Sequence, residues 1–448
     1  MATSTAGASA GNDRFEAHDY TSTDQVDQKT RTRALVGSAI GSTVEWYDYF
    51  LYGTMASIVF GHLFYRSDDK ATETMLSLAS FALAFFVRPL GGIVFSHIGD
   101  RIGRKKTLVM TLSLMGISTA LMGLLPDYDM IGVWAGVLMT LVRLVQGLAL
   151  GGEWGGGLLL AVEYAPRNKR GLYGAVPQIG ALLGLALGNL TVSVINAAVS
   201  EEQFLAWGWR IPFLLSILLV GFGLWVRKAV DETPSFKKVR KEGTTAKVPI
   251  VETFTKHRRA VLTTIGAKFI ETSTFFLFAT FTISYSVSLG YTRSQALNAV
   301  LIAAIVAVPA MLAMGALSDR IGRRRTFAIG TVLVMLFILP FFWMLNQKSV
   351  LMLTAACVIG FGLIWPMYGA VLGTFFAESF TPEVRYTGVS LGYMVGGALV
   401  GGPAPLIATA LLAAFHSYVP VGIFIMACGV VSLIAVYASP DRTGAPLD

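Results

Sequence analysis

Ser96–Lys106 reads SHIGDRIGRKK, and 219 residues later Gly315–Arg325 reads GALSDRIGRRR. Each is a short charged turn set between long apolar runs. A copy this far away implies that the surrounding structure is duplicated too. Glu163 and Arg170 recur as Glu378 and Arg385, each pair 215 residues apart. Gly180, Gly184 and Gly188 have counterparts in Gly388, Gly392 and Gly396. The chain between these marks is apolar throughout. Of 448 residues 54% are hydrophobic and 14% charged, where a soluble domain carries about a quarter charged residues. Mean hydropathy is +0.63. The composition predicts a chain that crosses a membrane many times.

A spanning helix takes about 20 mostly apolar residues. Twelve such runs begin near Ala34, Ala71, Thr107, Ile131, Gly171 and Ile211, and then near Ala260, Ser294, Thr326, Val350, Thr387 and Pro420. They do not alternate as barrel strands do, and lipid cannot satisfy the edge of an open sheet. The expected fold is an all-α membrane protein of twelve transmembrane helices in two pseudo-symmetric six-helix bundles. Its expected parts are a disordered leader 1–33, a bundle 34–229, a polar central loop 230–259, a second bundle 260–438 and a tail 439–448. With both termini cytoplasmic, 27 of the 35 Lys and Arg fall in inside segments and 5 in outside loops, the asymmetry that sets topology. The +8 net charge is thus a topology signal, and nucleic acid is not an expected partner. An even number of spans per half makes the repeat parallel, about an axis along the membrane normal.

Other classes lose their support. Cys357 and Cys428 lie in apolar runs, and the five histidines form no cluster, so no metal site or disulfide framework follows. No phosphate-loop motif is present. No nucleophile–base arrangement suggests an enzyme, and no cofactor is expected.

The charges inside the membrane are few. One at a helix centre costs about 2.5–3.5 kcal/mol on insertion scales, so it faces a cavity or a partner. They are Glu45 and Asp48 in span one, Arg88 in span two, Arg143 and Glu153 in span four, and Lys268 and Glu271 in span seven. Gly41, Glu45, Asp48 and Tyr52 share one helical stripe, and Arg143 reaches a depth similar to that of Asp48. Burial and a nearby cation push a carboxylate's proton affinity in opposite directions, so small movements can load or unload it. Asp48, Glu45 and Glu153 are therefore candidate proton carriers, with Arg143 as counter-charge. The alternative is a permanent ion pair fixing span one to span four. Arg88 is a candidate carboxylate anchor, or else a partner for Glu45. Lys268 and Glu271 touch cargo or neutralise each other. Trp46, Tyr47, Gln178, Asn298, Trp365, Tyr368 and Tyr393 can shape a site, or simply pack helices.

The paired turns fit G-x-x-x-D-R-x-G-R-R, the signature of the major facilitator superfamily, with Ser96 where the first copy usually has Gly. Arg143-Leu-Val-Gln146-Gly147 is similar to the superfamily's second motif. Within it, VEWYDYFLYG, FFVRPLGG, QGLALGGEWGGG and WGWRIPF resemble the metabolite:proton symporter family, and GGEWGG its shikimate-transporter branch. The resemblance spans roughly Ala34 to Ala438. It implies a proton-coupled symporter of a small carboxylate in the bacterial inner membrane, with protons, cargo and lipid as partners, working as a monomer by alternating access. It also implies pairing of a span-one acid with the span-four Arg. Further, it implies a cytoplasmic gate, here Asp100, Arg101, Arg104 and Glu163 with Asp319, Arg320, Arg323, Glu378 and Arg385. Simple positive-inside anchoring is the plainer reading of those cations. Dicarboxylates, betaine and proline are cargoes of relatives, and a proton-independent facilitator or a non-transporting receptor remain as other classes.

Overall fold

The structure, a computed structural model, describes residues 27–228, 231–242, 249–401, 403–445 and 447. Twelve long helices occupy them. The first six are α1 (Gln28–Ile58), α2 (Lys70–Ile102), α3 (Arg104–Leu124), α4 (Trp134–Glu163), α5 (Arg170–Ala198) and α6 (Arg210–Lys228). The second six are α7 (Arg258–Ser288), α8 (Arg293–Ile321), α9 (Arg323–Asn346), α10 (Val350–Ser379), α11 (Arg385–Phe415) and α12 (Val419–Ala438). In hydrocarbon each backbone N–H and C=O must be satisfied internally, which a helix does along its own length. Among the described residues ten helices are long and apolar enough to cross a membrane. The other two, α1 and α2, are as long; in α1 Glu45 and Asp48 dilute the apolar run, and in α2 Arg88 is the one charge between Leu76 and Ile93. Large side chains such as Leu218, Trp225, Leu262, Ile305, Leu336 and Ile434 point outward, as a lipid-facing wall requires.

The repeated motif is a helix break. Gly103 and Gly322 have φ of 114° and 98°, a region that strains any residue with a Cβ. They separate α2 from α3 and α8 from α9. Helix pairing then repeats: α1 packs on α5 as α7 packs on α11, α2 on α4 as α8 on α10, and α3 on α6 as α9 on α12. Between halves, α5 meets α8 and α11 meets α2, the same contact seen from each side of the pseudo-dyad.

Glycines set the closeness of these pairs. A Cβ on Gly184 would lie 2.6 Å from the Trp46 Cβ, and one on Gly396 2.6 Å from the Lys268 Cβ. The two ladders therefore press α5 onto α1 and α11 onto α7 beside the charged residues of each.

Three expectations shift. The first helix begins at Gln28, so the last turn of the anticipated leader is helical; residues 1–26 lie outside the described residues. The central loop contains two short helices, Pro234–Glu242 and Pro249–Lys256. Arg227, one of the cations counted to the inside segments, is a buried residue of the last turn of α6.

Candidate functional site

A cavity lies between the halves. Trp46 of α1, Arg88 of α2, Gln178 of α5, Lys268 and Glu271 of α7, Trp365 of α10 and Tyr393 of α11 all line it. Its free volume is about 50 Å³, room for a few waters. Lys268 donates to Glu271 and stands 3.5 Å from the centroid of the Tyr393 ring. The two charges thus neutralise each other inside an aromatic wall. Arg88 lies over the Tyr49 ring at 4.9 Å. Gln178 accepts from the Trp154 indole at 2.9 Å, and Trp154 stacks on Tyr393. Trp46 touches Phe275 across the halves, their ring centroids 5.8 Å apart.

Three expected lining residues are elsewhere. Asn298 is exposed on the outward stripe of α8 that also presents Leu297, Leu301 and Ile305. Tyr47 is buried against α6, where its hydroxyl donates to the Pro212 carbonyl at 2.9 Å. Tyr368 sits behind the wall, with its hydroxyl 2.9 Å from that of Thr274. Thr272, Phe275, Phe276, Met394 and Gly397 line the cavity and were not anticipated. Gly397 opens a π-helical turn, Gly397–Gly401, and Phe276 precedes another, Leu277–Phe281. Such turns re-aim side chains and often mark functional positions, but an apolar run gives no sign of them.

Asp48 and Arg143 are joined indirectly. Asp48 Oδ2 accepts from the Thr119 hydroxyl at 2.6 Å. Gln146 Nε2 donates to the same hydroxyl oxygen at 2.6 Å, and Arg143 donates to Gln146 Oε1. The Arg143 guanidinium lies 4.0 Å from the centroid of the Tyr52 ring. Every donor points down one chain, Arg143 to Gln146 to Thr119 to Asp48. The expected direct ion pair is absent because Gln146, one turn along α4 from Arg143, and Thr119 of α3 fill the gap. The Thr119 hydroxyl has a second acceptor, the Met115 carbonyl at 3.0 Å.

Glu153 is held in the same half by Arg227, a residue not expected at the site. Arg227 donates to both of its carboxylate oxygens and, at 2.9 Å, to the Leu108 carbonyl. Thr111 donates to Glu153 Oε2 at 2.7 Å. Glu45 is buried within Coulombic reach of Arg88, Glu153 and Arg227, and its Oε2 has no hydrogen-bond donor among the described residues. From Asp48 to Glu45 is one helical turn, ~4.5 Å along α1. The acids therefore descend from Asp48 through Glu45 to Glu153 toward the end that bears the charged turns.

At that end two carboxylates cross between halves. Asp100 accepts from the Thr387 amide at 2.9 Å, the Thr387 hydroxyl at 2.8 Å and the Tyr386 amide at 3.3 Å. It thereby caps α11. Asp319 accepts from the Gly171 and Leu172 amides at 2.8 and 3.0 Å and caps α5. A carboxylate at a helix N-terminus meets both free N–H groups and the positive end of the dipole. Arg104 and Arg323 pair with Asp100 and Asp319 at 3.3 and 2.8 Å. Arg323 also donates to Glu378 at 3.3 Å, whereas Glu163 accepts from Arg385 at 3.1 Å, with Arg104 farther off at 3.8 Å. Arg101 and Arg320 are exposed and make no ion pair among the described residues. The symmetry breaks where Gly171 packs on Gly315 but its counterpart is Tyr386. The Tyr386 ring lies where a Cβ on Gly99 would be, 2.2 Å away, and the Ser96 hydroxyl turns back onto its own helix at Gly92.

The segment after each half's last helix reinforces this end. Glu232 accepts from the first amides of α3, at 2.9 Å from Arg104, and burial raises its carboxyl above the ordinary range. Thr443 does the same for α9, accepting from the Arg323 amide at 2.9 Å. Beyond it Arg167 and Arg170 of the first half hold the Gly444 and Ala445 carbonyls, and Arg385 of the second half holds that of Leu447.

The profile of the Major Facilitator Superfamily matches residues 39–405. The chain is 42% identical over 420 residues to the inner membrane metabolite transport protein YhjE of Escherichia coli (strain K12), covering 91% of this chain and 93% of that relative. It is 38% identical over 413 residues to the shikimate transporter of the same organism, covering 91% and 94%. To that organism's proline/betaine transporter it is 32% identical over 432 residues, covering 94% and 86%. Its fold is similar to that of the proton:xylose symporter XylE bound to 6-bromo-6-deoxy-D-glucose. There the TM-score is 0.75 at 15% identity, covering 94% of this chain and 98% of that one.

Proposed function

We propose that this chain, which belongs to the major facilitator superfamily and is a metabolite transporter rather than an enzyme, carries a small monocarboxylate together with a proton. The proposed setting is the bacterial inner membrane, with the end bearing the charged turns in the cytoplasm, as the Lys and Arg asymmetry favours. The observation that carries the reading is the chain of donors from Arg143 through Gln146 and Thr119 that ends on Asp48. Ionised, Asp48 holds that chain in one direction. Protonated, its own O–H donates to Thr119, and the Thr119 hydroxyl turns to the Met115 carbonyl. One proton thus rearranges contacts among α1, α3 and α4 without burying a new charge. Glu45 and then Glu153 offer the next stations toward the cytoplasm, and exchange of Arg227 between them would release the proton there.

The cavity supports an anionic cargo. Arg88 and Lys268 are cations and Glu271 an anion, so the lining sums to one positive charge, which a monocarboxylate cancels. A buried charge is tolerated only when so compensated. Arg88 anchors the carboxylate, Gln178 and Tyr393 meet hydroxyl groups, and Trp46 and Trp365 cover the ring faces. A betaine or proline cargo, as the name of one relative suggests, needs a place for its ammonium. The aromatic wall that would take it is already held by Lys268. A hydroxylated monocarboxylate of the shikimate kind therefore fits better. On this reading the small cavity and the crossed caps belong to a form closed to the cytoplasm, and rocking of the halves exposes the cavity to one side at a time.

The test is uptake of labelled shikimate and related acids into proteoliposomes. One proton with one monoanion is electroneutral, so accumulation follows the pH gradient at about tenfold per pH unit, and the external medium turns alkaline as cargo enters. Uptake indifferent to a pH jump would mark a facilitator and end the proposal.

A further inference from the structure

A second cavity, of about 200 Å³, opens at the charged end of the second half. Lys256, His257 and Arg259 line it from the entry to α7, Ser379 from the end of α10, and Ser439, Pro440 and Arg442 from the segment after α12. Three permanent cations face it, and no carboxylate is among its lining residues. Three acids stand near: Glu383 and Glu252, within Coulombic reach of His257, and Asp441 beside Arg442. Glu252 pairs with Lys256 at 3.2 Å, and Asp441 accepts from its neighbour Thr443. Arg259 is fixed by donating to the Ala438 carbonyl at 2.9 Å. The Arg442 side chain makes no hydrogen bond or ion pair among the described residues. Burial, then Arg442, hold the His257 imidazole below its usual range; Lys256 adds to this, while Glu383 and Glu252 oppose it. Arg259 and Arg442, which no carboxylate pairs with among the described residues, and Lys256, shared with Glu252, surround a hollow that can hold many waters and make an anion site. On the cytoplasmic side such basic pockets match phosphate-bearing head groups.

The site touches the gate through the tail. Arg442 lies one residue before Thr443, which caps α9, and two before Gly444, which Arg167 of the other half holds. We propose that this cavity binds a phosphate-bearing anion, and that the anion, by tying Arg442 to Lys256 and Arg259, fixes the tail across both halves and favours the form closed at this end. The consequence for the transport cycle rests on the transporter reading; the binding does not.

The experiment uses the full chain, purified in detergent and stripped of lipid. Thermal unfolding is followed against inorganic phosphate, with chloride at matched ionic strength as control. A second arm compares short-chain phosphatidylglycerol with short-chain phosphatidylcholine. The expected result is a rise in melting temperature with an anionic phosphate and not with the control. The apparent affinity falls about fivefold in Arg442→Gln and about twenty-fivefold when Lys256→Gln is added, from about 1 kcal/mol per cation near the membrane surface. Both substitutions are at exposed side chains, so folding survives. A shift with phosphatidylglycerol alone assigns the site to lipid, a shift with inorganic phosphate alone assigns it to soluble anions, and either supports it. Equal shifts with phosphatidylcholine, no shift at all, or an undiminished shift in the double variant overturn it. Spin labels at Arg101→Cys and Arg320→Cys read the consequence. The bound anion should narrow their distance distribution toward the short form, and an unchanged distribution removes the gating half of the proposal. A lost shift with proton-driven uptake intact refutes the anion site alone, and the reverse refutes the transporter reading alone.

Discussion

Asp100→Asn should open the charged end. The carboxylate of Asp100 takes two backbone amides and a hydroxyl of the opposite half, at 3.3, 2.9 and 2.8 Å. Asparagine keeps one acceptor oxygen but loses the charge. A hydrogen bond to a charged group contributes about 1.5–3 kcal/mol against about 1 for a neutral one, and the charge–dipole interaction adds up to ~2 kcal/mol in a partly buried geometry. Arg104 limits the damage, because it keeps the Pro382 carbonyl at 2.8 Å and Glu163 at 3.8 Å. The net is about 2 kcal/mol lost from the closed form only, or roughly a thirtyfold shift toward the open one. The assay is the distance between spin labels at Arg101→Cys and Arg320→Cys, one exposed position in each half. Native Cys357 and Cys428 are buried, so background labelling is low. The long-distance population should grow in Asp100→Asn, grow comparably in Asp319→Asn, and dominate when both are combined. A folded Asp100→Asn protein with the wild-type distribution would refute the idea that the crossed caps hold this end shut.

Arg88→Gln should weaken cargo binding tenfold to a hundredfold, the loss of one charge-assisted bond, read as a raised KM in substrate counterflow; an unchanged KM would place the anchor elsewhere. Glu153→Gln leaves Arg227 buried without its counter-charge and should cost about 3–5 kcal/mol of stability. Adding Arg227→Gln should recover most of the melting temperature, and no recovery would deny the pair its role. Gly184→Val puts a side chain 2.6 Å from the Trp46 Cβ and the Tyr47 amide. It should cost about 1–3 kcal/mol by overpacking and, because Trp46 lines the cavity, reduce cargo affinity too; a neutral result would mean the ladder is not under compression.

The architecture was legible because its causes are local and periodic. Apolar runs set the spans, and the charged turns at Asp100 and Asp319 mark the same place twice. Seven of the expected residues line the cavity; Arg88, Lys268 and Glu271 do so because buried charge inside a membrane has few places to go. Asn298 misled because an uncharged amide tolerates an outward position that a charge would not. Tyr47 and Tyr368 misled because aromatics pack as readily as they bind. Arg227 was hidden by its place at the end of an apolar run beside Lys228, where a snorkelling cation and a buried one look alike. The chain through Gln146 and Thr119 was hidden for a different reason. It joins three helices, and no spacing within one of them reveals it. The role of the tail was equally unreadable, since backbone carbonyls hold the arginines and the sequence of the tail says nothing of them.

The most direct measurement is accumulation against counterflow in proteoliposomes bearing Asp48→Asn. Asparagine cannot take up a proton, yet it can accept from Thr119 as the carboxylate does. The account predicts that gradient-driven accumulation disappears while exchange of labelled for unlabelled cargo persists. Accumulation at the wild-type level, with the pH gradient still required, would contradict it and move the coupling to Glu45 or Glu153.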